Sequence, residues 1–596
     1  MVPSTLHDEC GQGERLPTPA PATPAPYDVP MPQRPDPARA AWASAAVRRF
    51  AAATNLLVAA RTYRIVGGDP RDTAALDALL TGLGARPAES HEPVDQLWCL
   101  GDPAESTAAV EREADRPRGA TLVVVDAGRY VPAVDEDAFG PVAPARPGVL
   151  AVPALSDDVF LVSTGRDPED DPAAAARIRW ARRSMPVSRA VAAELRDGGL
   201  LRGTRVGVSM VLEPKTAVLV LLLRDAGAEV VVYAHADETD DAVAQALRDA
   251  GVPVHASSTA TTAEQKTLAL AMLDTRPHVL LDDGSHLVRL AHQERPDLLP
   301  TMLGAAEETT SGLRPLRTMA ARGTLGIPVV AVNDARSKTF FDNRYGTGQS
   351  TVAATLDLVD GLASSAHRVR PGGSAVVAGS GPVGEGVAQV LRAFSFRVTV
   401  AEVDPVRALQ ARFAGSAVAP LVDAVRDADL VMSATGVPDT IDHAVLRAAA
   451  AGAVVSVAGG VDNEVAVEDA LAAGATRVPE APGVERLTWP DGHHVLLLAG
   501  GAGVNTSAAE GNPVEIMDLS FAVQLGAVRM LLEHGDELDR AVVPVDPAVD
   551  DATARAALAA WGSRCDPPVR PAGHLPDREP DVRTHRFGDP STDHRP

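Results

Sequence analysis

Cysteine is nearly missing from this 596-residue chain, which has only Cys10, Cys99 and Cys565. Cys10 and Cys565 lie in or near the tails and Cys99 follows an apolar run. Neither a disulfide framework nor a zinc-ligand spacing is available, no metal is expected, and a reducing, cytoplasmic setting fits. Basic residues are also in deficit, 55 Lys and Arg against 79 Asp and Glu, for a net charge of −24. Such a balance argues against an electrostatic footprint for nucleic acid or an anionic membrane surface. Long apolar runs are missing too, since no uncharged stretch reaches the roughly 18 to 20 residues of a membrane span. The segment MVPSTLHDECGQGERLPTPAPATPAP has neither the basic nor the apolar part of a secretory signal. A soluble enzyme or binding protein that handles a small molecule is the expectation.

What is present divides along the chain. Residues 1–40 are rich in Pro and Ala and residues 566–596 are similar, so both are expected to be disordered tails, the second docking at most through Arg570 or His574. Between 41 and 150, helical patterns alternate with short apolar runs such as YRIVGG, QLWCLG and TLVVVDAG, which predicts an extra N-terminal α/β domain of structural or oligomerising character. A second alternating series spans 170–344, with strands TRVGVSM, EVVVYA, HVLLDDG and IPVVAVND.

The third series, 345–514, is the most informative. SAVVA reads as a buried strand, GSGPVG follows at 379–384, and EGVAQVLRAF continues as a helix. This strand, glycine turn and helix order suits a dinucleotide. Gly379 permits the tight turn, Gly381 lets the backbone approach a pyrophosphate, and Gly384 allows the helix to pack on the strand. The helix N-terminus then supplies unsatisfied N–H groups and a positive dipole end for the phosphates. The next strand, RVTVAEVD, brings Glu402 to the position of a ribose-binding acid, which favours NAD over NADP, with Arg407 nearby as a contrary sign.

Around this Rossmann-type unit stand WARRSMPV (180–187), LDDGSHL (281–287), EETTSG (307–312), GTLGIPVVAVNDARSKTFFDNRYG (323–346) and ATG (434–436). Together they resemble the S-adenosylhomocysteine hydrolase family over residues 175–540, in the family's order and approximate spacing. The resemblance implies an NAD-bound homo-oligomer acting on a nucleoside-type substrate. Its fold would join the Rossmann-type NAD domain to a second, doubly wound α/β substrate domain. That domain would close with 515–560, across hinges near 345 and 515. It implies chemistry in which a ribose 3′-hydroxyl is oxidised to a ketone, the 5′ thiol is eliminated from C4′–C5′, water adds, and the same cofactor reverses the oxidation. By resemblance Lys338 lies at the 3′-hydroxyl with Asp342 and Asn343 beside it, Glu308 grips the diol, and Asp283 sits near the reacting carbons. Thr309, Thr310, Asn343 and Asn505 match cofactor contacts. Lysine acts as a base near neutral pH only if its pKa is depressed, by burial or by a positive neighbour such as Arg336.

Other family positions are changed. In VLEPKT, Val211 replaces a histidine, Glu213 a threonine and Lys215 the glutamate that reads adenine. Gly460 and Asn512 stand where two further histidines are expected, and His286 replaces an aspartate. Lys215, Glu213, His286 and Asn512 are therefore the candidate specificity residues. A Lys215 ammonium facing the base would invert its hydrogen-bond preference, so adenine is expected to fit poorly. Three readings follow: a thioether hydrolase with altered specificity, a dehydrogenase or epimerase of a nucleoside or cyclic diol without elimination, and a non-catalytic NAD-binding regulator.

Overall fold

Runs of β-branched residues such as EVVVY, each followed by a helix such as DAVAQALRD, bury both faces of a strand only when helices cover a parallel sheet on both sides. The computed structural model describes residues 36–116, 121–163, 174–362, 369–459 and 463–567 and realises this arrangement three times. Most of both expected tails, with Arg570 and His574, and also Gly460, lie outside the described residues.

The substrate-side sheet has seven strands in the order Val254–His255, Glu229–Tyr233, Arg205–Ser209, Val279–Asp282, Gly304–Glu307, Val329–Ala331 and Val542–Pro544, all parallel. The last strand returns from the far end of the chain after the helix Val514–His534, which is buried over most of its circumference because it runs through the core. The cofactor-side sheet has eight strands, beginning Ala417–Val418, Arg397–Ala401, Ser374–Ala378, Leu430–Ser433 and Val454–Val457, and ending in the antiparallel hairpin strands His494–Leu498, Val484–Thr488 and Thr476–Ala481. In each sheet the strand order reverses once beside the first strand, between Arg205–Ser209 and Val279–Asp282 and between Ser374–Ala378 and Leu430–Ser433. The carboxyl ends at such a switch point leave a crevice for ligands.

The N-terminal unit is a third sheet of seven strands. Its limits differ from the sequence expectation. The helix Pro37–Thr54 starts inside the stretch assigned to the tail, with Asp36 as N-cap and proline at its first position, and the sheet takes in Val159–Ser163, beyond residue 150. Phe50 and Trp98 of this unit share one hydrophobic core with Trp180, Leu195, Val377 and Phe521 of the other two. Trp180 of the WARRSMPV segment packs edge-on against Phe160 at 4.9 Å and donates its indole N–H to Thr54 O at 2.7 Å.

The first crossing between the two cleft domains, Thr339–Gly346, is π-helical and runs into the helix Thr347–Asp360. That helix packs closely on Pro382–Ala393. A Cβ on Gly386 would fall 1.9 Å from Arg344 O and one on Gly348 2.8 Å from the Gly386 backbone. An alanine in an ordinary helix gains up to about 1 kcal/mol over glycine. Here the methyl meets fixed backbone, so Gly386→Ala is expected to destabilise by roughly 1–3 kcal/mol, the range for overpacking. A melting temperature equal to or above that of the parent would show that the crossing is not close-packed.

Candidate active site

The strand ends of the substrate-side sheet deliver the acids. Asp283 follows Val279–Asp282, and Glu308 follows Gly304–Glu307. Lys338 comes from the start of the π-helical crossing, a geometry that often marks functional sites. Its wider turn lets one ammonium reach residues four and five positions on: Lys338 Nζ lies 2.6 Å from Asp342 Oδ2 and donates to Asn343 Oδ1 at 3.1 Å. Asn343 Nδ2 donates to Asn333 Oδ1 at 3.3 Å, and Ser520 Oγ on the returning helix donates to Glu308 Oε1 at 2.6 Å. The crossing, the strand ends and the return helix are thus tied at one point.

A second row of carboxylates, not singled out from the sequence, holds these loops in place. Glu307 accepts from Gly284 N, Ser285 N and Thr309 N at 3.0, 2.9 and 3.0 Å and from Thr309 Oγ1 at 2.6 Å. Asp282 accepts from Val288 N at 2.8 Å. On the cofactor side Glu464 accepts from Ser433 Oγ at 2.5 Å and Gly436 N at 3.1 Å, which organises the ATG turn. The doubled acids in EETTSG and LDDGSHL were the available signal for Glu307 and Asp282. Nothing local marks Glu464.

Burial dominates the electrostatics. It pushes Glu308 up to about 7, with Lys338 and Ser520 opposing and Asp283 and Asp342 adding to the rise. Burial also raises Asp283, against Lys338 and Thr309. For Lys338 burial disfavours the ammonium, but Asp342, Glu308 and Asp283 outweigh it and hold the pKa above that of free lysine. This corrects the expectation of a depressed lysine. Arg336 is exposed, its backbone N–H goes to Asp550 at 3.0 Å, and it does not counter the three carboxylates around Lys338.

A continuous cavity of about 1360 Å³ joins this cluster to the glycine loop. Lys338, Asp342, Asp283, Glu308, Thr309, Thr310, Asn343, Asn505, Gly379, Gly381 and Glu402 all line it. Gly384 does not, because it packs beneath the loop: a Cβ there would lie 2.1 Å from Gly379 O. Gly379 has φ of +95° and sits beside Ala434, while a Cβ on Gly381 would meet nothing closer than Arg407 Nη1 at 3.6 Å and would project into the cavity. The helix Pro382–Ala393 has no side-chain cap. An open glycine facing a bare helix start fits a dinucleotide pyrophosphate. Glu402 accepts from Ser380 N at 2.7 Å and Asp404 N at 2.9 Å and borders the same cavity, as a ribose acceptor would.

Three specificity candidates change character. His286 is exposed and is not part of the cavity wall, because Ser285 turns the chain at φ +58° before the helix His286–Glu294 begins. Asn512 lines the cavity but commits its amide to Asp342 Oδ1 at 2.6 Å and Thr347 Oγ1 at 3.2 Å, and accepts from Ser350 Oγ at 2.8 Å. It supports the Lys338 partner. Lys215 has all three ammonium hydrogens engaged, by Glu213 Oε2 at 2.8 Å, Asn55 Oδ1 at 3.0 Å and Glu510 O at 2.7 Å. It has no hydrogen left for a base, so the inverted preference does not reach the ligand. Glu213, which also caps the helix Pro214–Asp225, Glu510 and Arg146 at this end of the cavity were not all visible from the sequence.

Paired switch-point crevices, a dinucleotide loop and a buried lysine–carboxylate cluster between them define an NAD-dependent α/β enzyme. Residues 168–300 match the family model "S-adenosyl-L-homocysteine hydrolase", and residues 350–511 match "S-adenosyl-L-homocysteine hydrolase, NAD binding domain". The chain is 37% identical over 393 residues to an adenosylhomocysteinase of Thermoplasma acidophilum, covering 65% of this chain and 94% of that relative. It is 38% identical over 391 residues to an adenosylhomocysteinase of Thermotoga maritima, covering 65% and 95%. It is also 38% identical over 399 residues to an S-inosyl-L-homocysteine hydrolase of Methanopyrus kandleri, covering 67% and 92%. The chain belongs to the S-adenosyl-L-homocysteine hydrolase family, a family of hydrolases, and NAD is its cofactor.

Two measurements check this site. Gly381→Val is expected to fold, since its side chain enters open space, and to lose bound NAD; a variant purified with a full complement of NAD would refute the loop assignment. For Glu308, the folded pKa of about 7 lies above the roughly 4.3 of an unfolded glutamate. The folded chain therefore retains a proton that the unfolded chain releases, so this contribution is complete below about pH 4 and fades as pH rises to about 7 and beyond. Melting temperature followed across that window should fall less steeply with pH in Glu308→Gln than in the parent. Identical slopes would disprove the assignment.

Proposed function

We propose that the protein oxidises the 3′-hydroxyl of a nucleoside ribose and cleaves a thioether at its 5′ carbon, with a recognition end for the base that differs from its relatives. The observation that carries this reading is the buried Lys338 ammonium held among Asp342, Glu308 and Asp283 in a cavity continuous with the cofactor loop. Bound NAD supplies the transient oxidation of a secondary alcohol.

The chain's own groups divide the remaining work. Glu308, oriented by Ser520, accepts hydrogen bonds from a diol. Lys338 is held as an ammonium by Asp342, whose Oδ2 is 2.6 Å away, and it becomes a base only after its own proton has left. The hydroxyl proton then moves to Lys338. Asn512 holds Asp342 beside Lys338. In this reading Asp283, raised by burial, takes the proton at C4′ once its neighbouring carbon is a ketone. Burial and the second carboxylate row fix these groups before substrate arrives.

One observation favours oxidation without elimination as a second reading: no histidine lines the cavity among the described residues, and Val211 at the strand end offers no proton for a departing thiolate. The two readings separate in deuterated water with S-adenosylhomocysteine and its inosyl analogue. The hydrolase is expected to release homocysteine thiol and to place deuterium at C4′. Oxidation alone gives neither a thiol nor a shortened nucleoside. Lys338→Ala should suppress C4′ exchange and thiol release by roughly a hundredfold or more, the size of a lost acid/base group. Protein that carries NAD yet neither releases thiol nor reduces its NAD with either compound would overturn both readings.

A further inference from the structure

Residues 36–163 lie outside both matched family segments. Even so, the loop that leaves the helix Pro37–Thr54 is built into the cleft enzyme. Leu56, Leu57 and Val58 are buried. Leu57 N donates to Glu515 Oε2 and Val58 N to Gln349 Oε1, both at 3.0 Å, while Val514 N donates to Asn55 O at 2.9 Å. Arg61 pairs with Glu515 at 2.9 Å. Gln349 and Glu515 begin the two helices that follow the domain crossings, so the loop is clamped at both.

From this clamped loop Asn55 reaches the far wall of the cavity and accepts from Lys215 Nζ at 3.0 Å. A second arm of the same unit is the buried Arg146, whose guanidinium donates to Glu510 Oε2 at 2.5 Å and Thr54 O at 3.1 Å. Glu213, Glu510 and Gly511 border both the main cavity and a second one of about 610 Å³ on which Arg146 opens. The wall between the two cavities is therefore held from behind by the N-terminal unit.

We propose that this unit is a specificity element, in which Asn55 and Arg146 are positioning residues that complete the base end of the nucleoside cavity, and that the wall they hold reads a base edge bearing an exocyclic amine. The inference rests on the cavity being a nucleoside site. Its polarity follows from hydrogen-bond capacity. An ammonium has three hydrogens and Lys215 spends all of them on Glu213, Asn55 and Glu510. What remains toward the ligand is the carboxylate of Glu510, which only accepts when ionised, because both oxygens of Glu213 already accept from Lys215 and Thr216. Burial alone would raise Glu510, but Arg146 and Lys215 outweigh it and hold it below the usual carboxylate range. An amine edge supplies donors to such a wall, whereas a carbonyl edge faces acceptors.

The test uses full-length protein carrying NAD, with adenosine and inosine as probes in calorimetry and their homocysteine thioethers in kinetics. The parent is expected to prefer adenosine. Asn55 has φ of +50°, which glycine adopts without strain, so Asn55→Gly removes the amide and keeps the loop. One Lys215 hydrogen is then released toward the ligand, and the preference for adenosine over inosine should shrink roughly tenfold, as for loss or gain of one charged hydrogen bond. The change should appear in KM more than in kcat, with NAD content unaltered. Arg146→Met is an independent variant with the same expected direction. Unchanged preference in both variants overturns the inference, as does failure of both to fold with NAD, which would make the two residues purely structural. A parent that prefers inosine overturns the amine-reading wall and leaves the proposed function standing. A parent that binds neither nucleoside overturns the inference and the reading beneath it.

Discussion

The buried ammonium of Lys338 is the constraint on which the rest of the site depends. An unpaired charge taken out of water costs several kcal/mol, and removal of one partner from a buried pair costs about 3–5 kcal/mol. Lys338 is therefore stable only where counter-charges converge, and here they come from three places: Asp342 on its own helix, Asp283 and Glu308 from neighbouring strand ends. Those acids need anchors in turn, among them Asn512 for Asp342 and Ser520 for Glu308. The chain of requirements runs from one nitrogen to the crossing, the parallel sheet and the helix that returns from beyond the cofactor domain.

Behind the acids stands a layer whose work is to satisfy backbone. Glu307 takes amides of the Gly284–Ser285 turn and of Thr309, and Glu464 does the same for the turn beside the cofactor crevice. Such acceptors let loops with positive-φ residues such as Gly284 and Ser285 remain fixed without regular secondary structure. Reacting groups then meet their ligand already oriented, which is how a preorganised site stabilises charge that develops in a transition state.

The N-terminal unit follows the same logic at larger scale. It shares a hydrophobic core with the cleft domains and inserts a loop between the helices that follow the crossings. Partly buried ion pairs such as Arg61 with Glu515 and Arg146 with Glu510 join it to the other two units. The loop thus contacts the helices that follow both crossings.

Much of the candidate site was legible in the sequence because parallel α/β folds gather short contiguous segments at strand ends. GSGPVG, the acids of LDDGSHL and EETTSG, and the lysine of ARSKTFFDN are each short segments that the structure brings to one cavity. The limits of the N-terminal unit and the roles of Lys215, His286 and Asn512 were not legible. His286 is turned outward by the backbone angle of its neighbour. Lys215 is saturated by Asn55, 160 positions earlier, and Asn512 is claimed by Asp342, 170 positions earlier. The residue types by themselves determined which groups can donate, accept or titrate. Only the tertiary structure decided which of those capacities are already consumed, because a hydrogen used inside the protein is no longer offered to a ligand.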